Sequence, residues 1–148
     1  MKKTLAVTML ALCSFASSAQ AASKVGFAPA ATTSGGESDP LMSRSDIQKA
    51  VVEGMRAAGV PVDQGHEARV VSLDYNTLYE PRVNNLRTIS GSIALREMAT
   101  VRGAQKRVAV CDYSFNYWRV GPSVSQHVSG LLGDLHELGR KFAKECVK

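Results

Sequence analysis

The side chains in this 148-residue sequence that could do chemistry are few and scattered: His66, His127 and His136, Cys13, Cys111 and Cys146, and two carboxylates within alternating segments, Asp74 and Asp112. His66 sits in a Gly-His-Glu stretch with no second ligand at metal spacing. His127 and His136 are nine residues apart, so on one straight helix they point about 180° apart and cannot share an ion. Gly121-Pro122-Ser123-Val124-Ser125 lacks the second glycine of a nucleophile elbow, and no glycine-rich phosphate loop is present. The sequence therefore predicts no metal, no cofactor and no catalytic residue.

The carboxylates depend on strands to place them. Residues 69–79, 87–101 and 107–118 each alternate apolar and polar with a period of two, the mark of half-buried antiparallel strands. The predicted inward sets are Val71, Leu73, Tyr75, Thr77 and Tyr79; Ile89, Gly91, Ile93 and Leu95; and Ala109, Cys111, Tyr113, Phe115 and Tyr117. Asp74 and Asp112 then share the outer face. In the simplest register Asp74 stands opposite Ser92 and Asp112 opposite Ala94, which separates the two by roughly 11–12 Å. Glycosidase pairs are closer, at about 5–5.5 Å or 6.5–9.5 Å.

Two helices complete the pattern. Ser45-Asp46-Ile47-Gln48 reads as a capping box, Ile47, Val51, Met55 and Ala58 recur at helical spacing, and Gly59 with Pro61 ends the run, so a helix is predicted over 46–58. A second begins after Gly121-Pro122-Ser123 and keeps Val124, Val128, Leu131, Leu135, Leu138 and Phe142 on one face to near Cys146. Gly130, Gly133 and Gly139 weaken it, and a kink is predicted around 130–133. Residues 22–42 read as a flexible N-terminal segment with a short strand over 24–28, and 43–148 as a single domain. The fold class is α+β, a two-layer β-α-β-β-β-α domain with an antiparallel sheet and two helices on one face.

Residues 1–21 read as a signal peptide: Lys2 and Lys3, an apolar run from Leu5 to Phe15, then Ala19-Gln20-Ala21 with cleavage after Ala21. The run is too short to span a bilayer, and no other stretch reaches the roughly 20 residues a span needs. A lipid anchor on Cys13 is disfavoured because Leu12 precedes it and the apolar run continues past it. Cleavage leaves a net charge of +3, with no basic run or helix stripe, which excludes nucleic acid as a partner. It also leaves two cysteines for the oxidising periplasm. That compartment favours a Cys111–Cys146 bridge over two free thiols or an intermolecular bond. About 20 Å of strand must then match about 36 Å of helix, with tilt or a break absorbing the difference.

The helix, then Gly59-Val60-Pro61-Val62, then the strand from Ala68 to Tyr79, a polar hairpin and a terminal helix together resemble the small YajG-type envelope lipoproteins. The resemblance covers most of the mature chain as an order of elements and implies a fold and an envelope location. It carries no catalytic residue, and the signal peptide departs from it in lacking a good lipobox.

The binding candidates are Arg82, Arg87, Arg96, Arg102 and Arg107, which with Lys106 give the 81–107 hairpin a net +5 against Glu97 alone, and the single tryptophan, Trp118. Arg and Trp dominate interface energetics, and such a patch suits an envelope protein or an anionic envelope component. The sequence thus predicts an exported, non-enzymatic binding or accessory protein of the cell envelope. The alternatives are a small periplasmic hydrolase or metal-dependent enzyme, and an inhibitor or immunity-type protein.

Overall fold

Alternating residues build a five-stranded sheet in the computed structural model, which describes residues 24–33, 39–63 and 68–148. The strands are β1 (Val25–Thr33), β2 (Val62–Asp63), β3 (Arg69–Glu80), β4 (Leu86–Val101) and β5 (Ala104–Arg119), paired in the order β2-β1-β3-β4-β5. The signal segment with Cys13, and His66, lie outside the described residues. Strands β3, β4 and β5 form an antiparallel meander in which Asp74 stands opposite Ser92 and Ala94 opposite Asp112, the register the alternation predicts.

The α+β architecture is as predicted, but the sheet is mixed. Strand β1 runs parallel to β3, and α1 (Arg44–Ala57) lies between them in sequence as the crossover that a parallel pair requires. It also runs through Pro29 to Thr33, past the predicted end at residue 28. Proline is tolerated because β2 pairs only with Val25 and Gly26, which leaves β1 an edge strand from there on. A bulge corrects β5: Leu95 faces Cys111 and Arg96 faces Ala109, so Val110 is the extra residue. Ala109 therefore shares the outer face with Arg96 and is exposed, although strict alternation turns it inward.

The cap of α1 is Ser43 rather than Ser45. The Ser43 hydroxyl accepts from the Asp46 N–H at 3.1 Å, and the Asp46 carboxylate accepts from the Ser43 N–H at 2.9 Å. Both Ser43/Asp46 and Ser45/Gln48 have capping-box spacing, and the ionised carboxylate is the stronger acceptor. Gly59, at φ 83°, follows the last turn and Pro61 blocks its continuation.

Helix α2 (Val124–Phe142) is unbroken, so the kink predicted around residues 130–133 is absent. Its last turn widens into an i→i+5 segment, Ala143–Val147. The two helices bury Ile47, Val51, Met55, Leu131, Leu135 and Phe142 against Val71, Leu73, Ile89, Ile93 and Leu95 of the sheet. They meet through two glycines. A Cβ at Gly54 would land on the His136 carbonyl oxygen, and one at Gly139 on the Val51 carbonyl oxygen. The propensity lost at Gly139 is thus the condition for backbone-to-backbone contact.

Cys111 and Cys146 form a disulfide across 35 residues, with Cα atoms 5.7 Å apart. Strand β5 continues to Arg119, which lengthens the strand arm to about 26 Å and removes part of the mismatch with the helix. Closing a loop of this length contributes about 3–4 kcal/mol in the chain-entropy model.

Two predictions follow from this packing. Gly54→Ala is expected to destabilise the domain by about 1–3 kcal/mol, read as a lower urea midpoint at unchanged m-value, although alanine is the better helix former. The second concerns the cap, where hydrogen bonds from Ser43 hold the Asp46 carboxyl below its ordinary 3.8. A carboxyl depressed in the folded state stabilises above its unfolded pKa and loses that contribution as the pH falls through the folded value. The urea midpoints of wild type and Asp46→Asn are therefore expected to differ at pH 7 and to converge below about pH 3.8. A constant difference would disprove the assignment.

Candidate functional site

Both helices lie on one face of the sheet, and among the described residues no helix covers the opposite face. Its exposed side chains run across three strands: Asp74 and Asn76 on β3, Met98 on β4, and Asp112, Ser114, Asn116 and Trp118 on β5. Trp118 stands opposite Thr88 and is 58% exposed. Arg96 crosses the middle of this face. It stands opposite Val70, its Nε donates to Ser72 Oγ at 2.9 Å, and Val70, Ser72 and Ala94 around it are buried.

The hairpin β4–β5 overhangs the sheet. The last pair with β3 is Arg69–Glu97, after which Met98–Val101 and Ala104–Arg107 pair only with each other, projecting about 13 Å. Arg102 and Gly103 form its two-residue tip with φ of 52° and 80°. No acidic residue occurs from 98 to 111, and Arg102, Lys106 and Arg107 are exposed there.

The six candidate side chains do not form one patch. Arg82 is exposed in the β3–β4 turn, at the far end from the hairpin tip. Fifteen residues of strand separate Arg87 from Arg102, about 50 Å. Arg87 is not on the surface at all. It is 0% exposed on the helix side of the sheet, where its Nε and Nη2 donate to the Asp39 carboxylate at 2.6 and 3.1 Å. Nη1 donates to the Asn85 carbonyl at 3.3 Å, and the guanidinium lies 4.3 Å from the centre of the Tyr79 ring. Residue 87 has the inward phase of Ile89, and a buried arginine needs such a partner set. Trp118 and Arg96 share the bare face, and Arg102 and Arg107 belong to the overhang.

The sequence reading missed a groove beside β5. It has a volume of about 330 Å³ between Tyr113, Phe115 and Tyr117 of the strand and Glu137, Leu138 and Lys141 of α2. Burial raises the Tyr117 hydroxyl above its ordinary pKa, with Asp134 and Glu137 adding to the effect. The hydrogen bond to Glu145 raises that of Tyr113. Arg119, also unremarked in the sequence, turns inward to the Asp134 carboxylate. The alternating aromatics of β5 were the available signal for the groove; its other wall comes from a helix twenty residues further on.

The observed register keeps Asp74 and Asp112 two strands and two residues apart, again about 11–12 Å. Among the described residues no three His, Cys, Asp or Glu side chains converge on one point. His127 packs against Gly121, and its Nδ1 is buried without a hydrogen-bond partner. No helix among the described residues is long and apolar enough to cross a membrane.

No family model and no curated protein matches the sequence. Among solved structures, the chain is similar to the PelC dodecamer from Paraburkholderia phytofirmans, at 16% identity over 80% of this chain and 86% of that one, with a TM-score of 0.44. It is also similar to a minor lipoprotein from Acinetobacter baumannii, at 12% identity, 82% and 88% coverage and a TM-score of 0.41. For the rare lipoprotein B from Shewanella oneidensis the values are 12%, 81%, 91% and 0.32. The likeness to bacterial lipoproteins is weak and architectural, and no ligand, partner or activity passes across it.

The environment of Arg87 yields a direct test. Asp39→Ala leaves a buried guanidinium without its counter-charge and is expected to cost about 3–5 kcal/mol by urea denaturation. Asp39→Leu with Arg87→Met is expected to cost clearly less, since no charge is then stranded. Equal losses would mean that the contact matters for packing and not for charge.

Proposed function

We propose that the chain is an exported accessory protein of the cell envelope that binds a partner and catalyses no reaction. The observation that carries this reading is the bare outer face of the sheet, a surface with the half-exposed Trp118 at one end and a cationic hairpin overhanging the other. An isolated exposed apolar residue is ordinary on a protein surface. An exposed tryptophan on an open sheet, together with a projecting arm free of acidic residues, offers both an aromatic anchor and electrostatic steering. The partner is an envelope protein with an acidic surface or another anionic envelope component, and inhibition of another protein is one form such binding takes. The leader of residues 1–21 supports a periplasmic location, with the mature chain beginning after Ala21.

The test is capture by cross-linking in periplasmic extract, followed by mass spectrometry. Trp118→Ala with Arg102→Glu is expected to abolish the captured species while the urea midpoint stays close to wild type, because both side chains are exposed. Undiminished capture would refute the reading.

A further inference from the structure

We infer that the outer edge of β5 is a self-association surface, and that two copies of the chain join their sheets antiparallel about a two-fold axis through Phe115. Strand β5 is 16 residues long and lies at the end of the sheet, and among the described residues no strand pairs with its second edge. Natural edges of this length are guarded by charges, prolines or bulges. Here the bulge at Val110 and the cations Lys106 and Arg107 all precede Cys111. From Tyr113 to Trp118 the edge carries no charge, no proline and no bulge.

That unguarded stretch is self-complementary. Tyr113-Ser114-Phe115-Asn116-Tyr117 reads alike in both directions: aromatic residues on the helix side, polar residues on the open side. Pairing about Phe115 sets Tyr113 opposite the second copy's Tyr117, Ser114 opposite its Asn116 and Asp112 opposite its Trp118. Aromatic cross-strand pairs are favourable, and no like charges face each other. Val110 and Val120 flank the paired stretch at its two ends; they are 53% and 44% exposed, and with Trp118 they are the large exposed apolar residues of 110–120.

Helix α2 agrees with this axis. The 330 Å³ groove beside β5 is centred on Phe115 and has on its shoulder Glu137, whose carboxylate also accepts from Arg140 Nε at 2.7 Å, and Lys141, whose Nζ lies 5.7 Å from the centre of the Tyr113 ring. A two-fold axis at Phe115 runs the second copy's α2 antiparallel to the first and brings each Glu137 toward the other copy's Lys141, so the charges are complementary on both sides. An isologous interface requires this self-matching of one patch. The occupant of the edge is thus a second copy of this chain.

Sedimentation of the mature, oxidised protein over a concentration series tests the inference. The wild type is expected to associate to a dimer, and a monomer at every concentration overturns the proposal and leaves the edge to a different protein. Lys141→Glu sets like charges across the axis and is expected to weaken association about tenfold or more. Glu137→Lys combined with Lys141→Glu restores the complementarity and is expected to recover it. Ser114→Lys with Asn116→Lys, both on the exposed face, provides a second loss variant. Unchanged association in both loss variants, or no recovery in the charge swap, refutes the register.

Discussion

The contact of α1 with α2 at Gly54 and Gly139 sets the geometry of the helical layer. Each glycine lets the facing backbone come within a distance that a single methyl group would forbid. Two helices held this closely cover the middle of the sheet, where Leu73, Ile89, Ile93 and Leu95 are fully or almost fully buried. The coverage stops short of the last strand. Inward-facing residues of β5 such as Tyr113 and Tyr117 are only partly buried, and a groove opens between them and α2. The unoccupied volume at the sheet edge is thus tied to where the glycines place the helices.

Charge in this chain serves the fold more often than composition suggests. Arg87 spends its charge on Asp39 and the Tyr79 ring, Arg119 on Asp134, and Arg69 on Glu97 and the Val147 carbonyl. All three are on the helix side of the sheet, at its ends. There the apolar helical stripe gives out, and strand residues with inward phase meet loops and helix termini. A net charge counted over a hairpin cannot separate these arginines from Arg102 or Arg107, because the distinction lies in strand phase and in which loop returns to meet the guanidinium.

The meander was legible because period-two alternation and short turns fix register locally: the expected positions of Asp74 and Asp112 hold. The helices were legible to within a turn. What escaped required contacts remote in sequence. The parallel pairing of β1 with β3 depends on a crossover, and neither the composition of residues 25–33 nor Pro29 announces it. The bulge at Val110 shifts phase without a glycine to mark it. Asp39 lies 48 residues from Arg87 in a proline-containing loop, and no spacing rule links them. Of the candidate site, the exposure of Trp118 followed from its outward phase, whereas the dispersal of the arginines followed from strand length.

The defences of β5 are unevenly distributed, and this distinguishes an edge held apart from one left to pair. In the overhang, where neither helix nor β3 supports the hairpin, Lys106 and Arg107 make the edge a poor template, and the bulge at Val110 follows just inside it. Above Cys111 the strand is anchored to the helical layer by the disulfide and backed by α2, and from Tyr113 to Trp118, between Asp112 and Arg119, the defences cease. A strand that needed only to remain soluble would be protected along its whole length, and most of all where it is most aromatic. Protection confined to the hairpin end is the pattern expected when the rest of the edge is covered in the working protein. An edge of β5 covered this way would leave the β3 and β4 part of the bare sheet face and the hairpin tip accessible, so the two surfaces overlap only along β5, at Asp112, Ser114, Asn116 and Trp118.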